Sequence, residues 1–138
     1  MKQIVTDPSL QYMMGSWLCE RTGGVYTGDG QYIGLADGFN LQAVVGYDHW
    51  NGISINMHVA AEGSRWMTKE YLRYCFHYPF NEIGVKKIVG FVDESNEKAR
   101  RFDEHLGFKL ETRIKDACKG GDLLIYSMTR QECRFIKE

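Results

Sequence analysis

The chain has 138 residues, 43 % of them apolar and 25 % charged, which is ordinary usage for one globular domain with its own core. Lys plus Arg is 17 and Asp plus Glu is 18, for a net charge of -1. That balance excludes a general nucleic-acid binder and a polybasic membrane-surface protein, since both need a basic excess. The four cysteines form no CxxC pair, so no metal site is expected and the thiols read as those of a cytoplasmic protein. The N-terminus lacks the apolar stretch of a signal peptide, and no apolar run is long enough to span a bilayer.

Asp7-Pro8 opens the first predicted helix, with Asp7 as N-cap and Pro8 at the first helical position. Leu10, Met13, Met14, Trp17 and Leu18 give it one apolar face, and Gly23-Gly24 ends it. Residues 25–38 read as loop with a short strand over 32–35. A strand is expected over 41–47 and another over 53–59, joined by a turn carrying Asn51-Gly52. In the second strand Ile53, Ile55, Met57 and Val59 alternate with Ser54, Asn56 and His58, so His58 falls on the polar face.

A helix is predicted from Gly63-Ser64, with Met67, Tyr71, Tyr74, Cys75 and Tyr78 along its apolar stripe, and Pro79 is expected to break or kink it. Residues 87–92 read as a central strand. Asp93 to Asn96 then cap a helix carrying Ala99, Phe102 and Leu106, which Gly107 stops. Two strands joined at Lys119-Gly120-Gly121 close the chain. The fold class is α/β in a single domain over 1–138, with a mixed, mostly antiparallel sheet and helices on both faces.

The run from Ile88 through Asn96 and Ala99 to Leu106-Gly107-Phe108 resembles the strand, Asn-x-x-Ala, helix, Leu-Gly-Phe signature of the GNAT superfamily of acyl-CoA N-acyltransferases. With Arg113, Asp116, Gly121-Asp122 and Tyr126, the closing strands are most similar to the RimJ/RimL-type branch and to small phage-encoded GNAT-like proteins. The resemblance implies a splayed central strand pair and acetyl-CoA as the acyl donor. It also implies direct attack by a primary amine of a protein or small molecule.

The family's pyrophosphate loop falls on residues 60–68, where one glycine of the usual pattern remains. The resemblance places the cofactor on Val59, Gly63, Ser64, Arg65, Trp66 and Met67, and on Asn96, Ala99 and Phe102. Arg65 would pair with phosphate. The family's frequent Tyr acid corresponds to Asp103, seven residues after Asn96, and an ordinary carboxyl is too acidic for that task. His58 is the candidate general base, because an imidazole titrates near neutrality. Asp48 and His49 lie in the hairpin turn and are placed to meet substrate. Lys86-Lys87 and Arg100-Arg101 read as solvated faces. A homodimer through exposed C-terminal edge strands is compatible with this reading. The alternative from a different class is a catalytically degenerate GNAT fold kept for binding or structure, such as a phage accessory or virion component. The altered loop and the missing Tyr favour that alternative.

Overall fold

A computed structural model describes residues 1–137. Its strands are β1 (Lys2–Val5), β2 (Gln31–Asp37), β3 (Asn40–Asp48), β4 (Ser54–Ala61), β5 (Lys87–Asp93), β6 (Lys109–Cys118) and β7 (Gly121–Thr129). The helices are α1 (Gln11–Thr22), α2 (Lys69–His77) and α3 (Glu97–Leu106). The strands form one sheet in the order β1-β2-β3-β4-β5-β7-β6. Every neighbouring pair is antiparallel except β4 and β5, which are parallel. This is the expected α/β class with its mostly antiparallel sheet.

The N-terminal quarter holds more strand than the sequence suggests. β1 lies where no strand was expected, and β2 runs well beyond residues 32–35. Tyr32 to Ala36 are all buried, because β2 sits between β1 and β3 with packing on both faces. α1 is preceded by a 3-10 turn over Pro8–Leu10. Asp7 closes that turn with its main-chain carbonyl, 3.0 Å from the Leu10 N–H, and its side chain makes no cap bond. Gly23, at φ 77°, ends α1 in the left-handed region that glycine enters without a Cβ penalty.

α1 packs Met14 and Leu18 onto Tyr32, Val44 and Ala60 on one face of the sheet. The contact depends on Gly46 of β3. A Cβ there would lie 2.6 Å from Leu18 and 2.9 Å from Tyr32. α2 and α3 cover the opposite face, burying Tyr71, Leu72, Cys75, Phe76 and Leu106 against Val45, Ile55, Leu124 and Tyr126. Burying one such large side chain contributes ~1.5–3 kcal/mol. Two buried hydroxyls tie α2 down: Tyr71 donates to the Ile33 carbonyl at 2.7 Å, and Tyr47 donates to the Cys75 carbonyl at 2.5 Å. The α-helix ends at His77, two residues before Pro79, in line with the expected break or kink. The chain widens into a π-helical turn over Tyr78–Ile83, which absorbs the missing N–H, and it ends at Gly84.

The expected divergence of the central strands is present. β4 and β5 pair only at Ser54–Lys87, Ile55–Ile88 and Asn56–Val89, although β4 runs on to Ala61 and β5 to Asp93. β7 holds β5 along its whole length, so the gap opens on the β4 side alone. Among the described residues, no helix is long and apolar enough to cross a membrane.

Candidate active site

A cleft of about 860 Å³ opens where β4 and β5 part. Met57 to Ala61 form one wall, Gly90 to Asp93 the other, and α3 with the loop before α2 close the sides. Beyond Asn56, the backbone groups of β4 that face β5 have no strand partner among the described residues. They are hydrogen-bonding groups turned toward an open space.

His58, Val59, Gly63, Ser64, Trp66 and Met67 border this cleft, as do Asn96, Ala99 and Phe102. Arg65 does not border it, and its carbonyl accepts from Lys2 Nζ. Trp66 is buried and stacks obliquely on Phe102, with ring centroids 5.2 Å apart. α2 begins at Lys69 rather than at Ser64. Thr68 is the reason: its backbone is extended and its Oγ1 accepts from the Tyr71 N–H at 3.2 Å, so it caps the helix. Residues 62–68 are therefore loop, and the Gly63 to Met67 amides are not those of a helix N-terminus. The Asn96 Oδ1 accepts from the Ala99 N–H at 3.1 Å and caps α3, which leaves its Nδ2 for the cleft.

Cations reach the cleft from α3 instead of from Arg65. Lys98 and Arg101 lie three apart on one helix face and border it. Arg101 has only a loose 3.5 Å pairing with Glu97, and its side chain is 82 % exposed. Arg21 also borders the cleft, but Glu62 holds it at 2.8 Å and it stacks over Trp17. The sequence signal for Lys98 and Arg101 was their spacing after the Asn96 cap.

His58 has a partner that the sequence did not assign. Its Nε2 lies 2.9 Å from Asp48 Oδ1, and His49 Nδ1 lies 3.0 Å from the same oxygen. In the β3–β4 register Gly46 faces His58 and Asp48 faces Asn56, so Asp48 and His58 are diagonal neighbours on the α1 side of the sheet. Burial pushes the Asp48 carboxyl up, but hydrogen bonds from His49 and His58 outweigh it and hold the group below the ordinary carboxylate range. The hydrogen bond to Asp48, with the carboxylate charge, raises the exposed His49.

Asp103 is the residue that the sequence made too acidic for an acid's task. It borders the cleft, and its Oδ2 lies 3.7 Å from the position a Gly90 Cβ would take. Burial, and then the like charge of Glu104, push its carboxyl up to about 7. An Asp that shares a proton at neutral pH can act as an acid.

No family model and no curated protein matches the sequence. Solved structures do match. A spermidine N-acetyltransferase, SpeG, from Vibrio cholerae superposes with TM-score 0.73 at 14% identity, over 94% of this chain and 94% of that one. A ribosomal-protein-alanine acetyltransferase from Vibrio fischeri gives TM-score 0.71 at 11% identity, over 96% of this chain and 95% of that one. A ribosomal-protein-S18-alanine N-acetyltransferase from Escherichia coli gives 0.67 at 14% identity, over 94% of each chain. With the seven-stranded sheet and its parted central pair, this likeness shows that the chain has the fold of the GNAT acetyltransferases.

Proposed function

We propose that the protein is an acetyl-CoA-dependent N-acetyltransferase that acts on a primary amine. The observation that carries this reading is the meeting of a strand-splay cleft with His58, itself paired to Asp48, at its border. The residues present suit acetyl-CoA. Val59 and its neighbours offer unpaired backbone groups to an extended amide-bearing arm, as an added strand would be received. Asn96 offers its Nδ2 to the same arm, and Ala99 and Phe102 line its path. Trp66 gives the cleft an apolar side, and Lys98 and Arg101 suit phosphates at its rim. When bound, acetyl-CoA supplies the acyl group as an activated thioester.

A carboxylate can only accept, so ionised Asp48 takes the Nε2–H of His58. The Nδ1 of His58 then carries the free lone pair and takes the proton from the acceptor ammonium. Asp103, at the parting of the strands, holds a proton that it can give to a leaving thiolate. The same reading makes this an enzyme of the cytoplasm, with the open edge of β6 available to a second copy. One observation favours the binding-protein alternative: the loop over 62–68 is not a helix N-terminus.

Release of CoA thiol from acetyl-CoA, followed with a panel of peptide, lysine, polyamine and alkylamine acceptors, separates the two. Amine-dependent release supports the enzyme. Binding of acetyl-CoA without release to any acceptor would make the protein a degenerate GNAT fold.

A further inference from the structure

A second cavity, of about 180 Å³, lies beneath the C-terminal half of α1. Its walls include Leu18, Thr22, Thr27, Tyr32, Asp48 and His58. Thr22, Gly24 and His58 border both this cavity and the larger cleft, so the two spaces adjoin at His58. The roof is the loop over 23–30. Tyr26 holds it down by packing against Gly15, where a Cβ would come within 2.5 Å of the ring, and by stacking on Tyr32 with centroids 6.2 Å apart.

The charge inside is one-sided. Asp48 is the one carboxylate on the walls, and no Lys or Arg lines them among the described residues. Asp29, bonded by the Thr27 hydroxyl, adds a second negative charge beside the roof. Both imidazoles use Oδ1 of Asp48, and its Oδ2 carries no hydrogen bond among the described residues. The cavity can receive an ammonium with a short alkyl stem and opens to solvent on one side. A free amino acid would set its own carboxylate against Asp48.

We propose that this cavity is the acceptor site and that the acceptor is a small, singly charged primary alkylammonium, about the size of butylamine, held by Asp48 beside His58. The proposal rests on the transferase reading above. The ammonium donates to Asp48 Oδ2, and the alkyl stem lies along Leu18 and the Tyr32 ring. One proton passes from the ammonium to His58 Nδ1. The freed amine forms an N–C bond at the thioester carbonyl, the C–S bond breaks, the thiolate takes the proton of Asp103, and the nitrogen loses its second proton to water as the amide forms. Solvent then returns both residues to their starting states.

The test is an amide-shift NMR titration of the full chain, without acetyl-CoA, using butylammonium chloride, butanol and sodium butyrate. Butylammonium alone should shift the amides of Thr22, Thr27, Tyr32 and Asp48. Asp48→Asn should weaken its binding about tenfold or more, as loss of a charged hydrogen bond does. Thr27→Phe, at an exposed loop position, should fill the cavity and abolish the shifts while acetyl-CoA binding stays unchanged. Absence of shifts at these amides, or equal binding by the Asp48→Asn variant, would overturn the proposal. Butylammonium binding here without any acetyl-CoA binding would support the ammonium site and overturn the transferase reading. Turnover on a peptide but not on butylamine would overturn the proposal and leave the transferase reading standing.

Discussion

His58 Nε2 sits 2.9 Å from Asp48 Oδ1 across the β3–β4 hairpin, one diagonal step from its own cross-strand partner Gly46. Both residues lie on paired strands in the middle of the sheet, so the contact is fixed by the ladder and not by a loop. Gly46, with no Cβ, leaves the room that Leu18 of α1 and Tyr32 occupy beside the pair. The result is an imidazole whose tautomer and direction are set before any ligand arrives.

Replacing the imidazole should therefore stop chemistry and spare binding. His58→Ala should lower kcat by ~100- to 10,000-fold and leave acetyl-CoA affinity unchanged. It should also flatten the acidic limb of the pH–rate profile. Since the His58 side chain is 36 % exposed, the variant should melt near the wild type. Unfolding at ordinary temperature would make His58 a structural residue.

Asp48 has a folded pKa below its unfolded one, so its contribution is present above the ordinary carboxylate range and is lost as pH falls through the folded value. Asp48→Asn should cost about 1 kcal/mol in urea unfolding at pH 7. The difference should vanish at acid pH. A constant difference across the range would mean that the carboxylate charge is not what the two imidazoles use.

Asp103 carries the opposite sign. Its folded carboxyl is pushed up to about 7, against an unfolded value of ~3.9. The unfolded chain releases the proton first, so stability falls as pH rises from about 4 to 7 and is then level. Asp103→Asn lacks this loss. It should be more stable than the wild type by about 2–4 kcal/mol at pH 8, with the two converging near pH 4. Its turnover should be lower than the wild type's at neutral pH and should lose the alkaline limb near pH 7. A stability gap independent of pH would remove Asp103 as the proton donor.

The anion contacts of the cleft should come from α3. Lys98→Ala with Arg101→Ala should raise the Kd for acetyl-CoA roughly tenfold and weaken its salt dependence. Arg65→Ala should leave the Kd unchanged, because Arg65 does not border the cleft. The reverse pattern in a binding assay would place the phosphates on the loop before α2.

Gly46→Ala would drive a methyl group into Leu18 and Tyr32. The cost of such overpacking is ~1–3 kcal/mol, measurable as a lower urea midpoint. Unchanged stability would show that α1 can lift from the sheet at little cost.

Local chemistry made much of this fold legible in the sequence. The alternation around His58, the Asn96 cap, the Gly107 stop and the final hairpin each rest on residues near one another in the chain. Longer-range competition hid the rest. Gly28, Gly30 and Gly34 made the β2 region look like loop, although its neighbours bury it on both faces. α2 begins after Thr68 and not at Ser64, because the Thr68 hydroxyl reaches the Tyr71 amide. The partnership of Asp48 with His58 needed the hairpin register. The acidity of Asp103 needed its burial beside Gly90, which no residue type announces.

Calorimetric titration of the full chain with acetyl-CoA, with free CoA as the comparison, tests the proposed cleft most directly. The expected result is a single site per chain for both ligands, weakened in the Lys98→Ala, Arg101→Ala double variant and unchanged in His58→Ala. No binding of either ligand up to millimolar concentration would contradict the assignment of the β4–β5 cleft to acetyl-CoA, and with it the proposed transferase.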